Sequence, residues 1–150
     1  MPYTDQMLAR AHAPTAFACT ATQAGLDAAW VDVAGELDLM TAPRLERTLR
    51  ESQQLAHLTV LDLRELSFMD CAGVHTIVEA SLRARKTSRR LVMVRGGPDI
   101  YRMFTLTDSS AHVDIGDPEP AQPAHALQRS LVSQSLLATD GTTRHRGPSH

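Results

Sequence analysis

Alternation of apolar and polar residues predicts a pair of strands near the start of the chain. Residues 16–25 alternate weakly, whereas residues 29–35 place two valines on one face and a tryptophan and an aspartate on the other. Turn-forming residues at 25–27 separate the two stretches, so we predict a β-hairpin. Gly35 is expected to end the second strand.

A helical period of core-facing residues appears in two later segments. In residues 41–56, Thr41 is a candidate N-cap and Pro43 fits the first turn. Residues 71–87 have the clearest periodicity of the chain, and the basic run at 83–90 suits the negative end of that helix. The two stripes are Ala42, Leu45, Leu49 and Ser52, and then Val74, Ile77, Val78, Ser81 and Leu82.

Short apolar runs between and after these helices predict further strands. The runs at 58–66 and 91–94 are typical of buried strands, and residues 112–115 predict a last short one. A short third helix is indicated by the stripe Ile100, Met103 and Phe104. Strands and helices alternating in this order are typical of an α/β domain.

Both ends of the chain are predicted to lie outside the ordered domain, which we place at residues 15–138. Residues 1–14 are polar and unpatterned, so we expect a flexible N-terminus. Residues 124–138 space their leucines for a terminal helix that packs back on the domain. Residues 139–150 have no apolar period and are predicted to be a disordered tail.

Composition and charge argue against several classes of protein. The 150 residues are 43% hydrophobic, which suffices for one globular core, and the two cysteines, Cys19 and Cys71, are too few for a disulfide framework. No signal-like segment opens the chain, and its apolar runs fall short of the roughly 18–20 residues of a membrane span. We therefore predict a cytoplasmic protein with reduced thiols. A net charge of −2 does not indicate the positively charged surface with which proteins bind nucleic acid or an anionic membrane.

The sequence suggests no metal site and no cofactor. The RGGP segment at 95–98 lacks both the length and the lysine of a phosphate-binding loop. The basic run at 83–90 is interpreted as a charged helix end in water, with contact to an acidic partner as the alternative. No two of the seven histidines are spaced for zinc: His12, His57, His75, His112, His125, His145 and His150.

Two motifs carry a resemblance to a known family. Residues 33–45 read VAGELDLMTAPRL, and residues 60–74 read VLDLRELSFMDCAGV. In this order, and followed by RMFTLT at 102–107, they resemble the anti-sigma factor antagonists, the bacterial members of the STAS domain family. The resemblance spans roughly residues 16–138. It implies an α/β fold with a mixed central sheet of four to five strands and helices mainly on one face.

The same resemblance implies a binding module rather than an enzyme. Members of the family bind an anti-sigma factor, usually a serine kinase of the GHKL ATPase type, and so free a sigma factor for transcription. The kinase inactivates the antagonist by phosphorylating a serine that follows the aspartate of an Asp-Ser-Ser-Gly elbow. Here the elbow is Asp70, Cys71, Ala72 and Gly73, so Cys71 occupies the phosphate-accepting position.

A serine works as a switch at such a position for a physical reason. A hydroxyl in the first turn of a helix lies beside unpaired backbone N–H groups, so the helix tolerates a phosphate of about −2 charge that a partner interface does not. A thiol is not expected to accept phosphate from a serine kinase, and Ala72 has no hydroxyl. We therefore predict an antagonist that is locked in its binding-competent state, or controlled by expression level or thiol oxidation.

The predicted partner-binding residues come from the loop after the second strand and from the start of the second helix. They are Glu36, Asp38, Thr41, Asp70, Cys71, Ala72, Gly73, Val74 and His75. Asp70 is also expected to cap the helix, and Gly73 to allow close backbone approach at the elbow. The alternative for Glu36 and Asp38 is a solvated turn in which Asp38 and Thr41 compete to cap the first helix.

Three interpretations of Cys71 stay open. It is a small substitute for serine, as free cysteines are mostly inert, or a redox-responsive thiol with His75 one turn on, which the charge of Asp70 opposes. The third is a catalytic cysteine with His75 as its base, for which the sequence offers no third residue. The alternative to an antagonist is a STAS scaffold that binds another regulatory protein.

Overall fold

The computed structural model describes residues 16–116, which begin with the predicted hairpin. Strand β1 (Ala18–Gln23) pairs antiparallel with strand β2 (Ala28–Leu37). The turn between them has Gly25 and Asp27 in the left-handed region, with φ of 81° and 61°. Glycine and aspartate adopt this region more readily than most residues, which explains why the chain reverses here. The hairpin prediction is confirmed.

Gly35 does not end strand β2, contrary to the prediction. The strand continues to Leu37, and its register with the next strand shifts between Gly35 and Glu36. Gly35 has a φ of 90°, which a residue without a Cβ adopts at little cost. The glycine therefore allows a bulge-like irregularity inside the strand instead of stopping it. Glu36 accordingly lies in the strand and not in the loop that follows.

The three α-helices of residues 16–116 have the predicted order. The first two were predicted at residues 41–56 and 71–87. The observed first and last residues of each helix differ from these limits by at most one residue, because each helix buries a regular stripe of side chains. A 3-10 turn at Ser110–His112 replaces the start of the strand predicted at 112–115. The helices are α1 (Ala42–Leu55), α2 (Cys71–Lys86) and α3 (Pro98–Leu106).

Five strands form one mixed sheet in the order β1-β2-β3-β4-β5. The last three are β3 (Leu58–Met69), β4 (Arg90–Val94) and β5 (Asp114–Gly116), and from β2 onward the neighbours are parallel. Strand β3 is longer than the predicted 58–66 and runs directly to the elbow. The mixed sheet predicted from the resemblance is confirmed.

The helices pack on one face of this sheet, as expected. Their stripes join alternate residues of the strands in one core cluster, with Leu61 and Phe104 fully buried. A second cluster, on the other face, contains strand and turn residues such as Trp30 and Val60. This arrangement leaves the ends of the parallel strands to carry the loops, where binding sites of α/β sheets form.

Several predictions fall outside the described residues. These are the terminal helix at 124–138, the flexible N-terminus at 1–14 and the disordered tail at 139–150, and with them the outer limits of the domain predicted at 15–138. Within residues 16–116, no helix has both the length and the apolar character needed to cross a bilayer.

Candidate functional site

The elbow at Asp70 is a one-residue connection between strand and helix. Strand β3 ends at Met69 and helix α2 begins at Cys71, with Asp70 extended between them (φ −104°, ψ −174°). The Asp70 Oδ1 accepts hydrogen bonds from the backbone N–H groups of Ala72 (2.9 Å) and Gly73 (3.2 Å). The capping role predicted for Asp70 is confirmed, and it satisfies two of the N–H groups that a helix start leaves unpaired.

The elbow lies beside the end of strand β2. Leu37 and Met69 are partners in the parallel register of β2 and β3, and the Asp70 N–H donates to the Leu37 carbonyl oxygen (3.1 Å). The carboxyl ends of parallel strands meet at one edge of a sheet, which is where loops gather into sites. The segment 36–41 and the start of α2 are therefore neighbours.

The segment 36–41 is held by its own polar groups. The Asp38 Oδ1 accepts hydrogen bonds from the backbone N–H groups of Met40 (2.9 Å) and Thr41 (3.0 Å). The Thr41 hydroxyl donates to the Glu36 carbonyl oxygen (2.9 Å) and accepts from the Asp38 N–H (2.9 Å). Helix α1 has no side-chain cap, so the capping predicted for Thr41 is wrong, because its hydroxyl is engaged inside the turn. Glu36, Asp38 and Thr41 are all half-buried.

At Gly73, α2 closely approaches the ends of β2 and β3. A Cβ added at Gly73 would lie 2.7 Å from the Met69 Cγ and 2.8 Å from the Leu37 Cγ, which is too close for any carbon contact. The close approach expected at this glycine is confirmed. Val74 follows it into the core and is 3% exposed. Both residues thus lie beneath the surface at the elbow.

Cys71 and His75 are exposed on the first turns of α2. Within residues 16–116, no hydrogen bond reaches the Cys71 sulfur, and the His75 Nε2 lies 4.0 Å from the Glu79 Oε1, one turn further on. Among the described residues, no hydrogen bond therefore joins the Cys71 thiol to the His75 imidazole. Ala72 is half-buried and contributes only a methyl group.

Three exposed apolar side chains lie at the same edge of the sheet, and the sequence interpretation did not single them out. Leu39 and Met40, after β2, are 73% and 83% exposed, and Phe68, just before the elbow, is 48% exposed. Exposed aromatic and aliphatic groups among polar ones are typical of protein-binding surfaces. The available signal was the apolar pair Leu39–Met40 directly after Asp38.

The elbow combines a hydrogen-bonded turn with exposed apolar side chains. Among the described residues, no group of three His, Cys, Asp or Glu side chains is placed to hold a metal ion. The other thiol, Cys19, lies half-buried on β1, where burial raises its pKa and keeps it protonated at neutral pH. The elbow therefore presents hydrogen-bonded backbone, apolar side chains and one exposed thiol.

Comparison with known proteins identifies the family. A family model described as the STAS domain matches residues 21–119. An anti-sigma-B factor antagonist of Listeria monocytogenes is 32% identical over 88 residues, which cover 58% of this chain and 77% of that protein. An anti-sigma factor antagonist from Mycobacterium paratuberculosis superposes with a TM-score of 0.63 at 23% identity, covering 72% of this chain and 91% of the other. The anti-sigma factor antagonist SpoIIAA in its unphosphorylated form gives a TM-score of 0.61 at 16% identity, covering 77% and 97%.

The chain therefore belongs to the STAS domain family. The relatives named above are anti-sigma factor antagonists, so the resemblance carried by the two sequence motifs is confirmed. At 23% and 16% identity, the two solved structures show that the fold is shared. The sequence similarity that supports membership of the family is that to the Listeria protein.

Proposed function

We propose that this protein is an anti-sigma factor antagonist that binds an anti-sigma factor of the serine kinase type through its elbow surface and so releases a sigma factor. The elbow surface comprises Glu36, residues 38–41, Phe68, residues 70–72 and His75; the predicted contacts Gly73 and Val74 are buried and do not belong to it. One observation carries the proposal: on a chain similar to the antagonists, an exposed cysteine stands at the first residue of α2, where the resemblance implies a phosphate-accepting serine. Such a partner implies that the protein acts in the cytoplasm.

The elbow surface has the properties that partner binding requires. Leu39, Met40 and Phe68 offer apolar area whose burial drives association. The hydrogen bonds of Asp38 and Thr41 fix the shape of the loop before a partner arrives. A loop that is already ordered loses less conformational entropy on binding, so more of the contact energy appears as affinity.

Charge at residue 71 would control this surface. The first turn of α2 lies at the positive end of the helix dipole, so the helix tolerates a negative charge there. A partner interface does not, because an unpaired buried charge costs about 3–5 kcal/mol. The resemblance implies that a phosphoserine supplies this charge in other antagonists, and Cys71 does not accept phosphate from a serine kinase.

The antagonist is accordingly held in its binding-competent state. Its activity then follows its abundance, or the oxidation of the exposed thiol, since two successive oxidations by peroxide, first to the sulfenic acid and then to the sulfinate with each peroxide reduced to water, place a negative charge at the same position. Either form of control differs from the reversible kinase switch that the resemblance implies for a serine.

A capture experiment with two matched leucine variants tests the proposal. Leu39 and Leu26 are 73% and 87% exposed, but Leu39 belongs to the elbow surface and Leu26 lies in the hairpin turn at the other end of β2. Wild type and Leu26→Asp, used as bait in extract of the producing cells, are expected to retain an anti-sigma factor with a GHKL-type ATPase domain, identified by mass spectrometry. Leu39→Asp is expected to lose it, because a carboxylate replaces apolar contact area.

Two outcomes of the capture would contradict the proposal. Recovery of other signalling proteins in place of an anti-sigma factor would favour the scaffold interpretation. Equal recovery by Leu39→Asp and Leu26→Asp would show that the partner binds elsewhere.

A further inference from the structure

The far end of α2 carries a second site that is built from arginines. A pocket of about 370 Å³ opens between the second half of α1 and the last turn of α2. Arg83 lies twelve residues beyond Cys71, about 18 Å along the helix axis at about 1.5 Å per residue. The pocket is lined by Arg50, Gln53, Gln54, Arg83, Thr87 and Arg89.

A buried glutamine holds Arg83 in place at this pocket. Gln53 is 5% exposed, and its Nε2 donates to the Ala80 carbonyl oxygen (2.8 Å) while its Oε1 accepts from the Arg83 Nε (2.9 Å). The first hydrogen bond fixes the orientation of the amide, so the acceptor faces the arginine. The Arg83 guanidinium is therefore positioned in advance, without any ligand.

Within the described part of the chain, the positive charge in this pocket is neutralised only at Arg50, which pairs with Glu46 at 3.1 Å. Among residues 16–116, no carboxylate lies within ion-pair distance of Arg83 or Arg89, and the Arg83 Nη2 is buried without a hydrogen-bond partner. Burial lowers the pKa of Arg83, and the charge of Arg50 lowers it further. Guanidinium groups gathered in this way are costly for the free protein, and a bound anion would offset that cost.

The basic run at 83–90 is thus more than the solvated helix end that the sequence indicated. Arg85 is exposed and pairs with Asp114 at 3.6 Å. Arg83 and Arg89, by contrast, are half-buried and line the pocket. The arginines of the run have different surroundings because Ser88, with a φ of 56°, reverses the direction of the chain after the helix. Arg89 therefore lies towards α1.

We propose that this pocket binds a phosphate group, either inorganic phosphate or the phosphate of a small ester. With Arg50 paired to Glu46, Arg83 and Arg89 leave two positive charges at one concave site, which a phosphate dianion neutralises and a single carboxylate does not. The planar fork of arginine also matches the spacing of phosphate oxygens. Gln54 and Thr87 line the same pocket and offer further polar groups.

Calorimetric titration of the full chain with sodium phosphate tests this proposal. Total ionic strength is held constant with sodium chloride, so that general screening does not imitate binding. We expect saturable binding at one site, and each of Arg83→Gln and Arg89→Gln is expected to weaken it by about tenfold or more, because each removes charge-assisted hydrogen bonds. Arg47→Gln is the control, since Arg47 is exposed on α1 and does not line the pocket.

A parallel titration with adenosine monophosphate separates the two sources of phosphate. Tighter binding of the ester than of phosphate would identify an ester as the ligand, and the reverse would identify the free ion. The proposal is overturned if neither probe binds saturably, or if Arg47→Gln weakens binding as much as Arg89→Gln does. Circular dichroism of each variant checks folding, and Arg89→Gln decides the outcome if Arg83→Gln does not fold. No anti-sigma factor enters the assay, so its result is independent of the proposed function.

Discussion

Replacing Cys71 with aspartate is expected to weaken binding of the anti-sigma factor by about a hundredfold or more, and to leave the free energy of unfolding almost unchanged. The side chain is exposed at the first residue of α2, where the helix dipole favours an anion. In a complex formed through the elbow surface, the same carboxylate loses its water without gaining a cation. The cost of about 3–5 kcal/mol corresponds to about a hundredfold or more in the dissociation constant.

The matched control for this variant is Cys71→Asn, which has nearly the same shape and no charge. It is expected to bind the anti-sigma factor within about threefold of wild type, a difference of less than about 1 kcal/mol. Calorimetry with the purified partner gives both dissociation constants, and urea unfolding gives both stabilities. Equal affinity of the Asp and Asn variants would show that residue 71 lies outside the interface.

Replacing Gly73 with alanine is expected to destabilise the protein by about 1–3 kcal/mol. The sign of this effect is diagnostic, because the same change inside an ordinary helix stabilises by about 1 kcal/mol. Here the added methyl group would meet the Met69 Cγ at 2.7 Å and the Leu37 Cγ at 2.8 Å. These atoms belong to buried side chains at the strand ends, which have little room to yield.

Gly97→Ala is the control for the glycine variant. A Cβ at Gly97 has no atom within 4 Å, so its substitution is expected to change stability by less than about 1 kcal/mol, the size of an N-cap effect. Urea unfolding followed by circular dichroism measures both variants. A Gly73→Ala protein as stable as wild type would mean that the helix start does not pack on the strand ends as described.

Periodic helices were the most predictable elements of this fold. The stripe of Leu45 and Leu49 in α1 and that of Val74 and Ile77 in α2 are local patterns, and each recurs over several turns, so the bounds followed from the sequence alone. The role of Gly35 was predicted wrongly, because a single glycine in a sequence is as typical of a bulge within a strand as of the end of a strand. Only its register with β3 distinguishes the two, and that depends on residues about thirty positions away.

Only part of the structure of the elbow could be predicted from the sequence. The Asp70 cap is a local hydrogen bond between neighbouring residues and was predictable. The Thr41 hydroxyl was expected to accept a hydrogen bond from a backbone N–H of α1, but it bonds to Glu36 and Asp38, because the route of the chain through the Asp38 turn is not encoded in the cap pattern. The arginine pocket was not predictable, since Gln53 and Arg83 meet only after two helices pack together.

Release of a sigma factor from its anti-sigma factor is the most direct test of a permanently active antagonist. Fluorescence anisotropy of a labelled sigma factor follows its displacement, before and after incubation with the kinase and ATP. Wild type is expected to displace the sigma factor equally in both cases, whereas Cys71→Ser is expected to lose this activity as residue 71 becomes phosphorylated. Ser67 near the end of β3 and Thr76 in α2 are hydroxyl residues close to the elbow in sequence. A wild-type chain that never displaces the sigma factor, or that ATP inactivates through phosphate at either residue, would contradict the proposed role of Cys71.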